Sequence, residues 1–216
     1  MNIIMTGSTS FVGAATVREL LRRGHTVTAI VRPKSSKLDT ILEGNEEALL
    51  SGRLLVTEND LSEPEKLLEK VTKPQDVFCH FGWGGSGSAS RTDRALQEKN
   101  MEISLETIRT AKALGCKKFL FSGSQAEYGM HQDLITENTV CEPKSLYGEA
   151  KLAMREKGEK LCDELGLRYI HARIFSAYGP GDHPWTLVES CLDTFLSNKE
   201  MSLGACTQKW NFLYID

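Results

Sequence analysis

Short apolar runs alternate with longer amphipathic stretches along most of the chain, and this alternation predicts strands and helices in turn. Each predicted strand is rich in β-branched or apolar residues and is bounded by glycine, proline or charged residues. The predicted strands are Asn2–Thr6, Thr26–Val31, Leu54–Thr57, Asp76–Phe81, Lys118–Ser122 and Arg168–Ile174.

Three of the intervening stretches have the length and spacing of helices, at Phe11–Arg23, Arg94–Leu114 and Ser145–Leu165. A glycine follows each of them and suits the left-handed backbone of a helix C-terminus. Strands that alternate with crossover helices favour an α/β fold, a doubly wound parallel sheet with helices on both faces. A ligand site is then expected beyond the carboxyl ends of the strands.

The alternation extends through residues 1–175, which are predicted to form one dinucleotide-binding domain of Rossmann type. Residues 176–216 lie beyond this domain, and Asn211–Asp216 reads as a further strand with no capping element after it, so we expect the chain to be truncated there.

Composition narrows the classes of function. The 216 residues, 40% of them hydrophobic, are enough for one substantial core. A net charge of −3 with interspersed signs gives no basic field for nucleic acid, and no apolar run is long enough to cross a membrane. The six cysteines are scattered without a CxxC pair, so we predict no metal site and expect reduced thiols in a cytoplasmic protein.

A glycine-containing turn, Thr6-Gly7-Ser8-Thr9-Ser10-Phe11-Val12-Gly13, joins the first strand to the first helix. Gly7 permits a tight turn and Gly13 permits close packing of the helix on the sheet. The N–H groups of the helix then face a pyrophosphate. Ser10 stands where a second glycine is usual, and its hydroxyl is expected to bond phosphate.

The end of the second strand bears on the choice of cofactor. In NAD-binding folds an Asp or Glu at this point binds the adenosine ribose. Here Arg32, Lys34, Ser35 and Lys37 follow the strand with no carboxylate among them, so NADP is favoured and NAD is the alternative. Asp60, after the third strand, is placed to bond the adenine amino group.

Two segments with hydroxyl-bearing side chains are the candidates for catalysis. Tyr147 and Lys151 lie four residues apart on one face of a helix, where the ammonium is expected to lower the pKa of the phenol. The fifth strand ends in Ser122-Gly123-Ser124 at the carboxyl edge, where a hydroxyl can hold a substrate oxygen.

At this point the sequence resembles the extended short-chain dehydrogenase/reductases, also called the NAD-dependent epimerase/dehydratase family, which act mostly on nucleotide sugars. The resemblance covers essentially the whole chain, and it implies that residues 176–216 begin a substrate-binding region whose C-terminal part is largely missing from this chain. It rests on TGSTSFVG, Asp60-Leu61, His80-Phe81-Gly82, Asn100, SGSQAEYG, Thr136-Glu137, Pro143, YGEAK, Arg173-Ile174-Phe175-Ser176 and Tyr178-Gly179-Pro180.

The resemblance implies roles for individual residues. Ser124 is the catalytic hydroxyl, Tyr147 the proton-transferring residue, and Lys151 binds the nicotinamide ribose and tunes the tyrosine. Further cofactor contacts are implied at Gly7, Thr9, Ser10, Phe11, Val12, Gly13, Asp60, Leu61, Phe81, Gly82, Asn100, Phe175 and Ser176. Pairing of the two long helices into a homodimer is also implied, although the sequence does not require it.

The expected function is therefore NAD(P)-dependent oxidation, reduction or epimerisation at a carbinol or keto carbon of a nucleotide sugar. Gln125 and Ala126 stand where dehydratases of the family carry Asp-Glu, so dehydration is disfavoured. A non-catalytic NADP sensor and a reductase of small ketones or aldehydes are the alternatives.

The loop at 82–91 is expected to be mobile beside the site, and Arg91, Asp93 and His183 are interpreted as solvent-facing loop or helix-start residues.

Overall fold

A computed structural model describes residues 1–85, 87, 89–207 and 209–216 of the chain. Ser86 and Ser88, which belong to the loop predicted to be mobile, lie outside the described residues. The strands are β1 (Asn2–Thr6), β2 (Thr26–Val31), β3 (Leu54–Glu58), β4 (Val77–His80), β5 (Lys118–Ser124), β6 (Arg168–Ile174), β7 (Ser176–Tyr178) and β8 (Phe212–Tyr214). The α-helices are α1 (Phe11–Arg22), α2 (Asp39–Leu42), α3 (Glu46–Leu50), α4 (Leu67–Lys70), α5 (Arg94–Ala113), α6 (Leu146–Leu165) and α7 (Leu187–Leu196).

Six strands form one parallel sheet in the order β3-β2-β1-β4-β5-β6. This order reverses between β1 and β4, as in doubly wound dinucleotide-binding folds. The predicted fold class is confirmed. Strands β7 and β8 pair in parallel as a separate two-stranded sheet, which the sequence pattern had not predicted as a pair.

Helices cover both faces of the sheet. Because successive residues of a strand point to opposite sides, neighbouring residues of the central strands belong to different cores. Ile3 and Met5 pack with α1, whereas Ile4 packs with α5 and α6 on the other face. The phenylalanines of β4 and β5 fill this second face, with Phe78 and Phe119 stacked at 5.6 Å between ring centres. The two cores, one on each face, fix how the strands are aligned, and this alignment places the carboxyl ends of the strands along one edge of the sheet.

The predicted boundaries differ from the observed ones by at most two residues. The differences of two residues are in β5, which was predicted to end at Ser122 and continues to Ser124, and in β8, which ends at Tyr214 instead of Asp216. Ser145 lies just outside α6 and caps it by accepting the N–H of Gly148 at 3.1 Å. Helices α2, α3 and α4, which have four or five residues each, are too short to give the periodic signal that predicted the long helices.

Candidate active site

The turn between β1 and α1 forms an open backbone cradle. Gly7 has a positive φ of 69°, and a Cβ there would lie 2.7 Å from the Phe81 carbonyl carbon. A Cβ on Gly13 would collide with the Gly7 carbonyl oxygen. Both positions therefore require glycine. The turn presents the first N–H groups of α1, which have no acceptor within a helix, and these fit a pyrophosphate.

Ser10 caps α1, and its hydroxyl has a structural use within the turn. It donates to the Gly7 carbonyl oxygen at 2.7 Å and accepts the Gly13 N–H at 3.1 Å. The predicted phosphate contact of this hydroxyl thus competes with two internal bonds. Thr9 lies half-buried in the same turn, and the N–H groups of Phe11 and Val12 belong to the first turn of the helix.

The basic turn after β2 is exposed at Arg32 and Lys34. Register places Glu58, the last residue of β3, opposite Val31. Its carboxylate accepts the backbone N–H of Lys34 at 3.3 Å, and Ser35 continues the turn by bonding the Arg32 carbonyl oxygen. The prediction that no carboxylate faces this turn considered one strand only, and the structure corrects it because the neighbouring strand supplies one.

Asp60 and Leu61 follow β3 at the same edge of the sheet. The Asp60 carboxylate accepts from both the N–H and the hydroxyl of Ser62, at 2.8 and 2.6 Å, and these bonds lower the pKa of Asp60. The Leu61 side chain lies against Gly82, where a Cβ would be 2.7 Å from Leu61 Cδ1. Leu61 and Gly82 are therefore in direct contact at the edge of the sheet where the cofactor is predicted to bind.

The end of β4 is held by buried polar contacts. His80 lies between Thr6 and Ser104, with its Nδ1 2.8 Å from the Thr6 hydroxyl and its Nε2 3.1 Å from the Ser104 hydroxyl. Burial lowers the pKa of His80 to about 3, so the ring is neutral. This pair of bonds fixes the strand end from which Phe81 and Gly82 enter the groove.

Asn100, predicted to line the cofactor groove, binds the protein backbone through both ends of its amide. Its Oδ1 accepts the Gly84 N–H and its Nδ2 donates to the Gly84 carbonyl oxygen, each at 2.9 Å. The side chain is buried. Asn100 therefore anchors the loop that follows β4.

Ser124, Tyr147 and Lys151 come together at the carboxyl end of β5. The Lys151 ammonium donates to the Ser122 carbonyl oxygen at 2.8 Å and lies 5.7 Å from the centre of the Tyr147 ring. The Ser124 hydroxyl is near enough to the Tyr147 phenol to exert a lowering effect on its pKa. The three groups predicted from separate segments thus share one small region.

The electrostatics of this region differ from the expectation. Burial raises the pKa of Tyr147, and the opposing effects of Ser124 and Arg91 are smaller, so the pKa is raised overall and the predicted lowering is wrong. Burial also lowers the pKa of Lys151 to about 7, with a smaller opposing effect of Glu127. A buried ammonium that is only partly charged at neutral pH does little to favour a phenolate.

Two aromatic contacts in this region were missed from the sequence. Trp83 covers the Lys151 ammonium, whose Nζ lies 4.0 Å from the indole centre, and its own Nε1 donates to Gln97 at 3.0 Å. The guanidinium of Arg91 lies 5.0 Å from the centre of the Tyr147 ring, so Arg91 contacts the site rather than only solvent. The feature of the sequence that could have indicated the Trp83 contact is a single tryptophan in a loop composed mainly of glycine and serine.

Phe175 and Ser176 follow the end of β6, the strand next to β5. The Phe175 ring packs 6.0 Å from that of Tyr128. The Ser176 hydroxyl accepts the Trp210 Nε1–H at 2.7 Å and lies 3.5 Å from Oε1 of Gln125, the residue after Ser124. Ser176 is therefore close to the candidate hydroxyl in space.

Within residues 1–85, 87, 89–207 and 209–216, no three His, Cys, Asp or Glu side chains are grouped as metal ligands. The helices of that same part of the chain include none that is both long and apolar enough to cross a bilayer.

A parallel sheet of this order, with a glycine turn between its first strand and the helix that follows, is a Rossmann-type fold, the class to which many dinucleotide-binding proteins belong. The sequence pattern of the NAD dependent epimerase/dehydratase family matches residues 3–216, so the chain belongs to that family.

Curated relatives include an uncharacterized UDP-glucose epimerase, YtcB, of Bacillus subtilis, 27% identical over all of this chain and 69% of its own length. A dTDP-6-deoxy-L-talose 4-dehydrogenase (NAD(+)) of Aggregatibacter actinomycetemcomitans is 30% identical over 79% of this chain and 60% of its own. The chain spans about half to two thirds of the length of the curated relatives it matches.

Solved structures agree on the fold. The UDP-glucose 4-epimerase of Thermotoga maritima with UDP-glucose has a TM-score of 0.84 at 24% identity, over all of this chain and 70% of that one. The UDP-glucuronic acid 4-epimerase of Bacillus cereus in complex with NAD has a TM-score of 0.81 at 22% identity, over all of this chain and 69% of that one.

Proposed function

We propose that the protein is an NAD(P)-dependent oxidoreductase or epimerase that acts at a carbinol or keto carbon of a nucleotide sugar. The observation that carries the proposal is the meeting of Ser124, Tyr147 and Lys151 at the carboxyl edge of β5. A sensor that only binds a dinucleotide has no use for this cluster. The nucleotide-sugar substrates named for relatives in the family support the substrate class.

The proton chemistry belongs to the chain's own residues. Tyr147 exchanges a proton with the substrate oxygen, and Ser124 donates a hydrogen bond to that oxygen. The nicotinamide, when bound, accepts or returns the hydride at the carbon that bears the oxygen. Because burial raises the pKa of Tyr147, the phenol is protonated at neutral pH and ready to donate in the direction of reduction. Removal of a proton in the opposite direction depends on the charge of Lys151.

For the cofactor we propose NADP, with NAD as the alternative. Arg32 and Lys34 support NADP because their exposed cations suit a 2′-phosphate. Glu58 supports NAD, since its carboxylate at the same turn would repel that phosphate and accept ribose hydroxyls. Calorimetric titration separates the two. With NADP as cofactor, Arg32→Ala weakens NADPH binding at least about tenfold more than NADH binding, and Glu58→Gln strengthens NADPH binding. A loss of NADH binding alone, in Glu58→Gln, would assign NAD instead.

Replacement of Tyr147 by Phe tests the reaction. Dinucleotide affinity should stay within about twofold, whereas turnover of UDP- or dTDP-sugars should fall by at least about a thousandfold, as for loss of an acid/base group. Tyr214→Phe, at an exposed tyrosine, is the matched control and should leave turnover unchanged. Retained turnover in Tyr147→Phe would remove the phenol from the mechanism. Binding without any turnover in the unaltered protein would support a sensor, and turnover of small ketones alone would support the reductase.

A further inference from the structure

Glu127 is a fully buried carboxylate three residues beyond Ser124, and the proposed reaction gives it no role. Its Oε1 accepts the backbone N–H of Ser124 at 2.7 Å. The Ser124 hydroxyl in turn accepts the N–H of Ala126 at 3.2 Å, which completes a reciprocal capping box. The carboxylate therefore holds the backbone of the candidate catalytic serine directly.

Two cationic or proton-donating side chains from β6 face Glu127. Arg173 Nε lies 2.7 Å from Glu127 Oε2, and His171 Nε2 lies 2.9 Å from Oε1. A buried carboxylate is costly unless it is paired and hydrogen-bonded. Burial raises the pKa of Glu127, but the bonds from His171, Arg173 and the Ser124 N–H outweigh it, so the pKa is lowered overall and the group is charged.

The register of β5 against β6 brings these groups together. Phe121 pairs with His171 and Gly123 pairs with Arg173, so both side chains of β6 fall on the face toward Glu127. A Cβ on Gly123 would lie 2.5 Å from His171 Nε2 and 2.7 Å from Glu127 Oε1. The glycine between the two serines thus leaves room for the carboxylate and its partners.

The network also reaches the helix that carries Tyr147. His171 Nδ1 lies 3.1 Å from the Tyr169 hydroxyl, and that hydroxyl donates to the carbonyl oxygen of Met154 in α6 at 3.0 Å. A chain of polar contacts therefore links the Ser124 backbone through Glu127 and β6 to α6. Such a chain fixes the strand end and the helix relative to each other.

On this basis we infer that Glu127 is a positioning residue, which sets the place of the Ser124 hydroxyl relative to the Tyr147 phenol. The inference rests on the proposed function for its consequence, because the alignment matters to catalysis only if these two groups handle the substrate oxygen. Its geometric part can be measured without turnover.

The first measurement reads the environment of Tyr147 by ¹⁹F NMR of protein labelled with 3-fluorotyrosine. Its resonance is assigned by its loss in Tyr147→Phe. Glu127→Gln and Ser124→Ala should each move this resonance, because each changes how the serine hydroxyl meets the phenol. In the Ser124→Ala background, Glu127→Gln should move it much less.

This cycle separates positioning from a direct electrostatic effect, since the charge of Glu127 also acts on Tyr147 through space. A direct effect would shift the resonance equally with or without the serine hydroxyl, and that result would overturn the inference. Glu106→Gln is the matched control, because Glu106 forms an exposed ion pair with Arg109 and should leave the resonance in place.

The second measurement is the same cycle in turnover of a nucleotide sugar. Glu127→Gln should lower kcat at least about tenfold with little change in KM when Ser124 is present, and less than about twofold in Ser124→Ala. Equal loss in both backgrounds would refute positioning. Absence of turnover in the unaltered protein would refute the proposed function, whereas the NMR cycle would still decide the role of Glu127.

A second variant covers the case in which Glu127→Gln does not fold. His171→Asn withdraws one donor from the carboxylate by shortening the side chain, and it should move the Tyr147 resonance in the same direction as Glu127→Gln. His171→Gln, whose amide nitrogen can take the place of Nε2, should restore it. An unmoved resonance in a folded His171→Asn protein would contradict the inference.

Discussion

Replacement of Lys151 by Met should stabilise the fold while it abolishes the reaction. The ammonium is almost fully buried, and burial lowers its pKa from the usual 10.5 to about 7. A difference of this size corresponds to about 5 kcal/mol against the charged form. Methionine has nearly the same helix propensity and an adaptable apolar side chain, so the substitution removes the charge with little other change.

Because a folded pKa of about 7 is the net result of all contacts of the charged form, the cost of Lys151 at pH 7 is about 4 to 5 kcal/mol. The neutral amine still bonds the Ser122 carbonyl oxygen, and Lys151→Met gives up that bond at a cost of about 0.5 to 1.5 kcal/mol. Lys151→Met should therefore be more stable than the unaltered protein by about 3 to 4 kcal/mol at pH 7. For a domain of this size that is a rise in Tm of roughly 6 to 16 °C.

The stability of the unaltered protein relative to Lys151→Met depends on pH. Below pH 7 both folded and unfolded chains hold the Lys151 proton, so the cost is complete. Between about 7 and 10.5 the unfolded chain binds the proton and the folded chain does not, so the unaltered protein gains stability as pH rises. The advantage of Lys151→Met should shrink by about 2 kcal/mol between pH 7 and pH 9.

Urea unfolding at several pH values measures this difference. Lys157→Met, at an exposed position of the same helix, is the matched control and should show neither the gain nor its dependence on pH. A Lys151→Met protein that is less stable at pH 7, or whose difference does not change with pH, would refute the reasoning. Loss of nucleotide-sugar turnover should accompany the gain in stability.

Three further substitutions test the cradle and its supports. Gly13→Ala should lower dinucleotide affinity by more than about tenfold in calorimetry, because the added Cβ would collide with the Gly7 carbonyl oxygen. Gly204→Ala is the control and should bind as before, because there is open space around Gly204. Asn100→Ala should cost about 1 to 3 kcal/mol of unfolding free energy, because it leaves both polar groups of Gly84 without this partner, and a loss under about 0.5 kcal/mol would contradict that accounting. Tyr169→Phe should cost about 1 kcal/mol through the bond to Met154, measured by thermal unfolding, and an unchanged Tm would show that water replaces the phenol.

The glycine turn and the long elements could be predicted because their causes are local. Gly7 and Gly13 are required by the backbone around them, and the continuous apolar run of β1 follows from burial of both faces of the sheet. The Tyr147 and Lys151 pair could also be placed, since four-residue spacing on a helix puts both on one face.

The contacts between distant segments could not be predicted in the same way. Glu58 reaches the basic turn only through the register of β3 on β2, and Glu127 meets His171 and Arg173 only through that of β6 on β5. The Tyr147 pKa was predicted in the wrong direction because the burial that raises it comes from tertiary packing.

The amino-acid sequence by itself determined the order of strands and helices, the glycine cradle and the residue types at the candidate site. These depend on backbone conformation and on spacing of a few residues, which act within one segment. Tertiary structure alone decided the charge state of Lys151, the packing of Trp83 over it and the buried bonds behind Ser124. Those depend on desolvation and on side chains that meet from separate strands and helices, and such properties exist only once the sheet and its two cores have formed.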